Sequence, residues 1–503
     1  MTKEFDAVVI GSGTGGLTCG AFLARAGMKV LVLEKHTKIG GYTHHFKRKD
    51  YTFESGVHSV PMADGGTIRH LLKLLGIEQS VETIALSEMF HVETPDYSFT
   101  MPSMKEEILD TLKSSFPHEK ENIKNLFADF KEFNNKIILP VFDFENNFRE
   151  EDKQFVSKYH NLSFGNYIAG FLKDDNCKNA FYSQWPYGGA SPFYGSSLFY
   201  TIMFLLHYYE GTHCVKGGFS VLAEALANAI TSRGGTVKRG RNVVKVTAEN
   251  DIVKSVITST GEEYTANLFV SNISPYILHS ELLDKRFRHR LTLRRLNKLK
   301  PSVSAVIVYL GMKPQFADLF NHNTYFWFSS TDYCTIYNNI MQNRKDEIDH
   351  LILLNPPLNG QQPTLTLINF CHQSYSKDWH SDKMRIADKM VEKAESLFPG
   401  IKENIVLSEV GSPATLERFT ANSEGAFYGF ENTKDMYGEA KLPIRTHLKN
   451  LFQTGHWGKP GGGIHNVMNN GYTTYHTIMQ SNSSGNNKIF IAPKEGYKEG
   501  IYA

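Results

Sequence analysis

Asp6-Ala7-Val8-Val9-Ile10-Gly11-Ser12-Gly13-Thr14-Gly15-Gly16, continued by Lys29-Val30-Leu31-Val32-Leu33-Glu34, is the stretch that decides the fold. A short β-branched run, Asp6 to Ile10, stops at a glycine turn. Leu17 to Ala26 then has the small residues of a closely packed helix, Gly27 ends it, and a second apolar run closes a βαβ unit. Gly11 permits the sharp turn, Gly13 lets the backbone approach a pyrophosphate, and Gly16 lets helix and strand pack closely. With Thr14 and Gly15 the helix start offers free N–H groups and the positive end of a dipole. Glu34, with Lys35 beside it, comes 18 residues after Gly16 and suits a ribose 2′-hydroxyl. An acid there would repel a 2′-phosphate, which favours FAD or NAD over NADP.

The chain has 503 residues, enough for about three domains or one large interleaved unit. Lys and Arg number 54 against 52 Asp and Glu, so no global field favours nucleic acid, and none is expected as a partner. With 41% hydrophobic and 21% charged residues, disordered and fibrous classes are excluded. Five scattered cysteines form no Cys-x-x-Cys pair and no zinc spacing, so reduced thiols and no metal are expected. The first residues run directly into a strand without a leader pattern, and the longest apolar run, Leu198 to Leu206, is too short to span a bilayer. A cytoplasmic protein is the resulting expectation.

Further glycine elements follow in order: Gly40-Gly41 with Tyr42, then Phe53-Glu54-Ser55-Gly56-Val57-His58, then Gly217-Gly218 before a helix and Gly234-Gly235-Thr236-Val237. Near the end come Leu451-Phe452-Gln453-Thr454-Gly455-His456 and Pro460-Gly461-Gly462-Gly463-Ile464. This series resembles the flavin amine oxidase and phytoene desaturase superfamily over most of residues 5–480. The resemblance implies an α/β fold: a Rossmann-like FAD-binding domain of glutathione reductase type, interleaved with an α+β substrate domain. FAD binding would use residues 1–85, 210–275 and 440–503, and the substrate domain 86–209 and 276–439. It also implies flavin contacts from Gly40, Gly41, Tyr42, Gly56, Val57, His58, Val243, Gly455, His456, Gly463 and Ile464. Two positions depart from the pattern: Tyr42 stands where Arg or a small residue is usual, and His456 where many members carry Asp. His58 and His456 are the catalytic candidates, as proton carriers near neutrality.

No second dinucleotide fingerprint follows, so electrons are expected to pass to oxygen or a quinone. Aromatics total 62, and 11 of them fall in the 29 residues from Phe181 to Tyr209. Such a cluster suits a cavity for a bulky apolar ligand, and Trp185, Tyr187, Tyr200, Phe204 and His207 are the candidate lining. Gln184-Trp185-Pro186-Tyr187-Gly188 and His207-Tyr208-Tyr209 look most like the carotenoid isomerase and retinol saturase branch, which implies desaturation, saturation or cis-trans isomerisation of a lipophilic conjugated polyene through hydride exchange with flavin N5. A flavin amine oxidase-like enzyme and a non-catalytic carrier of a prenyl-like ligand are the alternatives. Residues 282–300 carry leucines near helical spacing among eight Lys and Arg between Lys285 and Lys300, the composition of an interfacial helix on anionic lipid and equally of a solvated surface helix. Glu93 to Asp175, with Asn146-Asn147-Phe148, reads as a helical insertion, Ser481 to Asn487 as a polar tail and Lys488 to Pro493 as a short strand.

Overall fold

The computed structural model describes residues 4–138, 150–343, 347–357 and 362–483, so Asn146-Asn147-Phe148 and the strand expected at 488–493 lie outside the described residues. The βαβ unit forms as the sequence dictates. Strands Ala7–Ile10 and Val30–Leu33 pair in parallel, and helix Thr14–Arg25 crosses between them. They form the centre of a five-stranded parallel sheet whose other strands come from far along the chain: Leu268–Ser271, Leu451–Gln453 and Thr236–Lys238. All four residues of Ala7–Ile10 and of Val30–Leu33 are buried, as strands covered on both faces require.

Helix Thr14–Arg25 is buried almost all round because it packs against the last helix, Ile464–Ser483, and against Ser220–Thr231. Phe22 meets Tyr472 with ring centroids 4.5 Å apart. Its small residues permit that double contact: a Cβ on Gly15 would lie 3.0 Å from the Val467 carbonyl oxygen, and one on Gly20 3.1 Å from Ile230 Cδ1.

A seven-stranded mixed sheet forms the second layer system. It takes strands Glu88–Thr94 and Tyr97–Pro102 from one part of the chain, and Ser304–Met312, Thr324–Phe328, His350–Leu354, Thr364–Cys371 and Ile405–Gly411 from another. Glu93 to Asp175 is therefore not helical from its start. Its first residues finish a hairpin of this sheet, and helices begin at Lys105. The helices that follow, including Asp175–Tyr182 and Ser197–Glu210, bury their rings against one face of the sheet in the largest apolar cluster.

Residues 282–300 do not form one amphipathic helix. Short turns at Leu278–Leu282 and Lys285–Phe287 precede a seven-residue helix, Arg290–Leu296. Leu282, Leu283, Leu296 and Leu299 point into the protein, and Leu291 is the exposed one. Arg288 and Arg295 donate to the Leu283 and Ala440 carbonyls. The stretch thus forms no single amphipathic helix, and four of its leucines are packed inward. Among the described residues no helix is long and apolar enough to cross a membrane.

Candidate active site

One cavity of about 580 Å³ runs from the glycine turn of the parallel sheet to the rings of the second sheet. Its first half is built on the C-terminal ends of the parallel strands, where ligands of open α/β sheets bind. Gly11, at φ +92°, turns the chain out of the first strand, a conformation that glycine adopts without strain. Gly13, Thr14 and Gly15 line the cavity, while Gly16 lies beneath them in the helix–strand contact. The helix they open has no side-chain cap and no acid in its first turn, so its leading N–H groups are available to an anion. Glu34 lines the same wall. One carboxylate oxygen accepts from the Ser12 amide at 2.9 Å and the Ser12 hydroxyl at 2.6 Å, and the other from the His36 amide at 2.8 Å. Lone pairs remain for a ribose diol. Lys35, Gly40, Gly41 and Val243 complete this half.

The second half begins at Tyr42, Gly56, Val57, His58, Gly455, His456, Gly463 and Ile464, all of which line the cavity. Helix Ile464–Ser483 starts immediately after the Gly461-Gly462-Gly463 turn, again without an acid in its first turn, so a second positive helix end enters the same space. Two such ends in one cleft, one at a diphosphate-sized turn and one at the far wall, supply donors, and Glu34 supplies an acceptor for a ribose, as an FAD molecule requires. The residues present therefore fit this cofactor. Bound there, FAD would supply two-electron hydride chemistry.

Tyr42 donates to the Ala426 carbonyl at 3.0 Å and packs on Phe427, tying the glycine pair to the segment 420–427. His456 is fixed as well. The Asn422 side-chain oxygen lies 3.2 Å from His456 Nε2 and also accepts from the Trp457 indole at 3.1 Å, so the histidine is the donor in this pair. Burial, and then the Lys441 charge, push His456 down to about 3. The neutral ring is thereby held against Asn422. His58 is also neutral: burial pushes it down to about 4, outweighing an opposing contact with the Gly56 backbone. Glu54 lies behind this wall and accepts from the Phe219 amide at 3.0 Å. Burial raises it to about 8.

Beyond the histidines the wall is apolar. Tyr187, Phe199, Ile202, Met203 and Leu206 come from the aromatic segment, and Phe326, Ile352, Ile368 and Phe370 from the second sheet. Of the five side chains expected to line the cavity, Tyr187 and His207 do so, and Trp185, Tyr200 and Phe204 do not. Trp185 is sealed among Phe328, Tyr337, His350 and Phe370. The Tyr200 hydroxyl is held between the Trp185 and Ala190 carbonyls. Phe204 packs on Phe130, Phe181 and Tyr208. Clustering in sequence carried no information on which turn of a helix buried on every side would face the space.

Sequence reasoning also missed Asn422, Asn272 and the pair His465 and Glu210. His465 lines the cavity, and its Nε2 lies 3.5 Å from Glu210 Oε2. Among the described residues no group of three or more His, Cys, Asp or Glu side chains is placed to hold a metal ion.

A Rossmann-type cleft fitted to FAD and continuous with a cavity in an interleaved second domain defines a flavin-dependent oxidoreductase. The chain belongs to the family of flavin containing amine oxidoreductases, whose profile matches residues 14–474. It is 26% identical to a chloroplastic prolycopene isomerase of Daucus carota, over 95% of this chain and 80% of that one. It is 22% identical to an all-trans-retinol 13,14-reductase of Danio rerio, covering 90% and 83%. A 4,4'-diapophytoene desaturase of Methylomonas sp is 23% identical, covering 92% and 93%. Among solved structures, an oxidoreductase from Methanosarcina mazei superposes with a TM-score of 0.63 at 18% identity, covering 94% and 100%. A putrescine oxidase bound to putrescine superposes with 0.63 at 14%, covering 95% and 99%. These two likenesses bear on the fold.

Proposed function

We propose that this FAD-dependent oxidoreductase acts on a lipophilic conjugated polyene of carotenoid or retinoid type, exchanging hydride at flavin N5 in desaturation, saturation or cis-trans isomerisation. The observation that carries the reading is the continuity of the cofactor cleft with an apolar wall of rings and branched side chains. Flat rings suit an extended π system, and Tyr187, Phe326 and Phe370 offer their surfaces to it. The relatives named for prolycopene, retinol and diapophytoene support the same substrate class. Among the described lining residues the carboxylates are Glu34 and Glu281, both in the nucleotide half, so no acid faces the flavin half to hold a substrate ammonium. That weighs against an amine. The complete cofactor cradle weighs against a carrier without flavin.

The residues named above would hold FAD: the Gly11 to Gly15 turn at the diphosphate, Glu34 at the ribose, and Gly455, Gly463 and Ile464 at the flavin. Dioxygen or a quinone would take the electrons, since the sequence carries no second dinucleotide fingerprint. The test is to load purified protein with FAD and add carotenoids, retinoids and amines in turn. Binding of a polyene, read as a shift of its absorbance together with perturbation of the flavin spectrum, supports the reading. Amine-dependent flavin bleaching without any response to polyenes overturns it.

A further inference from the structure

Four histidines line the flavin half of the cavity: His58, His207, His456 and His465. Three are held neutral. Burial pushes His58 to about 4 and His207 and His456 to about 3, the neighbouring histidines adding to the effect on His207 and Lys441 to that on His456. His207 is further occupied, its Nδ1 lying 2.9 Å from the Thr212 hydroxyl. His465 differs from all three in having a carboxylate partner.

Glu210 ends helix Ser197–Glu210 and is buried. Its Oε1 accepts from the Thr67 amide at 3.0 Å, and its Oε2 faces His465 Nε2 at 3.5 Å. Burial works to raise Glu210, but the contacts with His465 and Thr67 prevail and hold the carboxyl below the usual range, so it is an anion at neutrality. Nε2 therefore carries the proton facing Glu210. Nδ1 makes no hydrogen bond to a described residue and is not among the atoms closed off from the surrounding space. His465 is the second residue of helix Ile464–Ser483, whose N-terminal dipole disfavours a cation there. Glu210 supplies the compensating charge at contact distance. The other titratable groups around the pair are His207, with His58 and His213 beyond it, and Arg69 and Asp64 beyond His213.

We propose that His465 is the catalytic proton carrier of this site, that Nδ1 is the atom exchanging the proton with substrate carbon, and that Glu210 is its positioning residue. The proposal rests on the polyene reading. When a C=C bond forms, one carbon loses a hydride and its neighbour a proton. By way of bound FAD the hydride, as two electrons and a proton, would reach dioxygen or a quinone, while the second proton goes to His465 Nδ1 and then joins the reduced acceptor, giving hydrogen peroxide or the quinol and the neutral imidazole again. Addition of hydrogen is the same transfer reversed, with a quinol or an added chemical reductant supplying the electrons. The imidazolium formed on the way is neutralised by Glu210 at 3.5 Å.

The test uses the FAD-loaded protein with labelled histidine, as wild type, Glu210→Gln, His465→Gln and His465→Asn. In the absence of substrate, the imidazole 15N shifts of His465, assigned by their loss in the variants, place the proton on Nε2 in wild type and show a changed tautomer balance in Glu210→Gln. With a polyene, His465→Gln and His465→Asn slow single-turnover flavin reoxidation or reduction by about 100-fold or more, while polyene affinity and FAD content stay near wild type. Glu210→Gln slows the same step together with its change of tautomer, polyene affinity being kept. An unchanged 15N pattern overturns the role of Glu210, and unchanged rates in both His465 variants overturn the role of His465. If wild type binds no polyene, the functional reading fails, and the 15N pattern alone decides the pair.

Discussion

Replacing Glu34 by Gln is expected to weaken FAD binding by about 30-fold without unfolding the protein. The carboxylate accepts three hydrogen bonds, from the Ser12 amide, the Ser12 hydroxyl and the His36 amide, and would receive two more from the ribose diol. Hydrogen bonds to a charged acceptor contribute about 1.5–3 kcal/mol, and neutral ones about 0.5–1.5 kcal/mol. Each ribose bond thus loses about 1 kcal/mol, and two together about 2 kcal/mol, which is about 30-fold in Kd. The amide also turns an NH2 group toward either Ser12 or His36, where the native carboxylate meets donors. The loop therefore loosens by a further one to two kcal/mol, roughly, and the effect on affinity is a lower bound. Titration of deflavinated protein with FAD, followed by flavin fluorescence, measures the change, and thermal unfolding without FAD measures the loop term. Equal FAD affinity in wild type and Glu34→Gln would refute the placing of the ribose at this carboxylate.

Three further outcomes follow from the same geometry. Met203→Trp puts a large ring into the apolar half of the cavity, so polyene affinity should fall at least about tenfold, the worth of about 1.4 kcal/mol, with FAD content unchanged. Trp185→Ala should cost about 3–5 kcal/mol of stability in urea unfolding, because the ring is wholly enclosed, and the protein that remains folded should keep the same reaction products. Glu54 is protonated in the folded protein up to about pH 8, whereas its ordinary value is 4.5. The stability this neutral carboxyl contributes is complete below about 4.5 and is lost as pH rises through about 8. Glu54→Gln should flatten that decline in unfolding free energy, and an undiminished decline would count against the buried neutral acid.

The fold was legible in the sequence wherever its determinants are local. A strand, a glycine turn, a helix of small residues and an acid at the end of the next strand leave one arrangement for residues 7–34, and the later glycine elements lie in order at the strand and helix ends that join it. The cavity wall was legible only in part, because its far side is assembled by pairing across the second sheet, where Phe326, Ile352, Ile368 and Phe370 come from four positions on three strands. Helix Ser197–Glu210 is apolar on every side, so no periodicity separated Phe199, which lines the cavity, from Tyr200 and Phe204, which do not. At 282–300 leucine spacing did not tell which side chains turn inward: Leu282, Leu283, Leu296 and Leu299 are buried, whereas Leu291 is exposed. His465 gave no signal at all. Its significance comes from Glu210, 255 positions earlier, which a tertiary contact brings within 3.5 Å.

The central claim is that one cavity brings FAD and a conjugated polyene together for hydride exchange. Its most direct test is incubation of the FAD-loaded protein with a panel of carotenoids and retinoids, with and without a quinone or a chemical reductant, followed by chromatography and mass analysis of the products. The account predicts conversion of at least one polyene to a product of equal mass and altered geometry, or to one differing by a pair of hydrogens, dependent on FAD. Every polyene returned unchanged, with peroxide released from an amine by the same preparation, would contradict it.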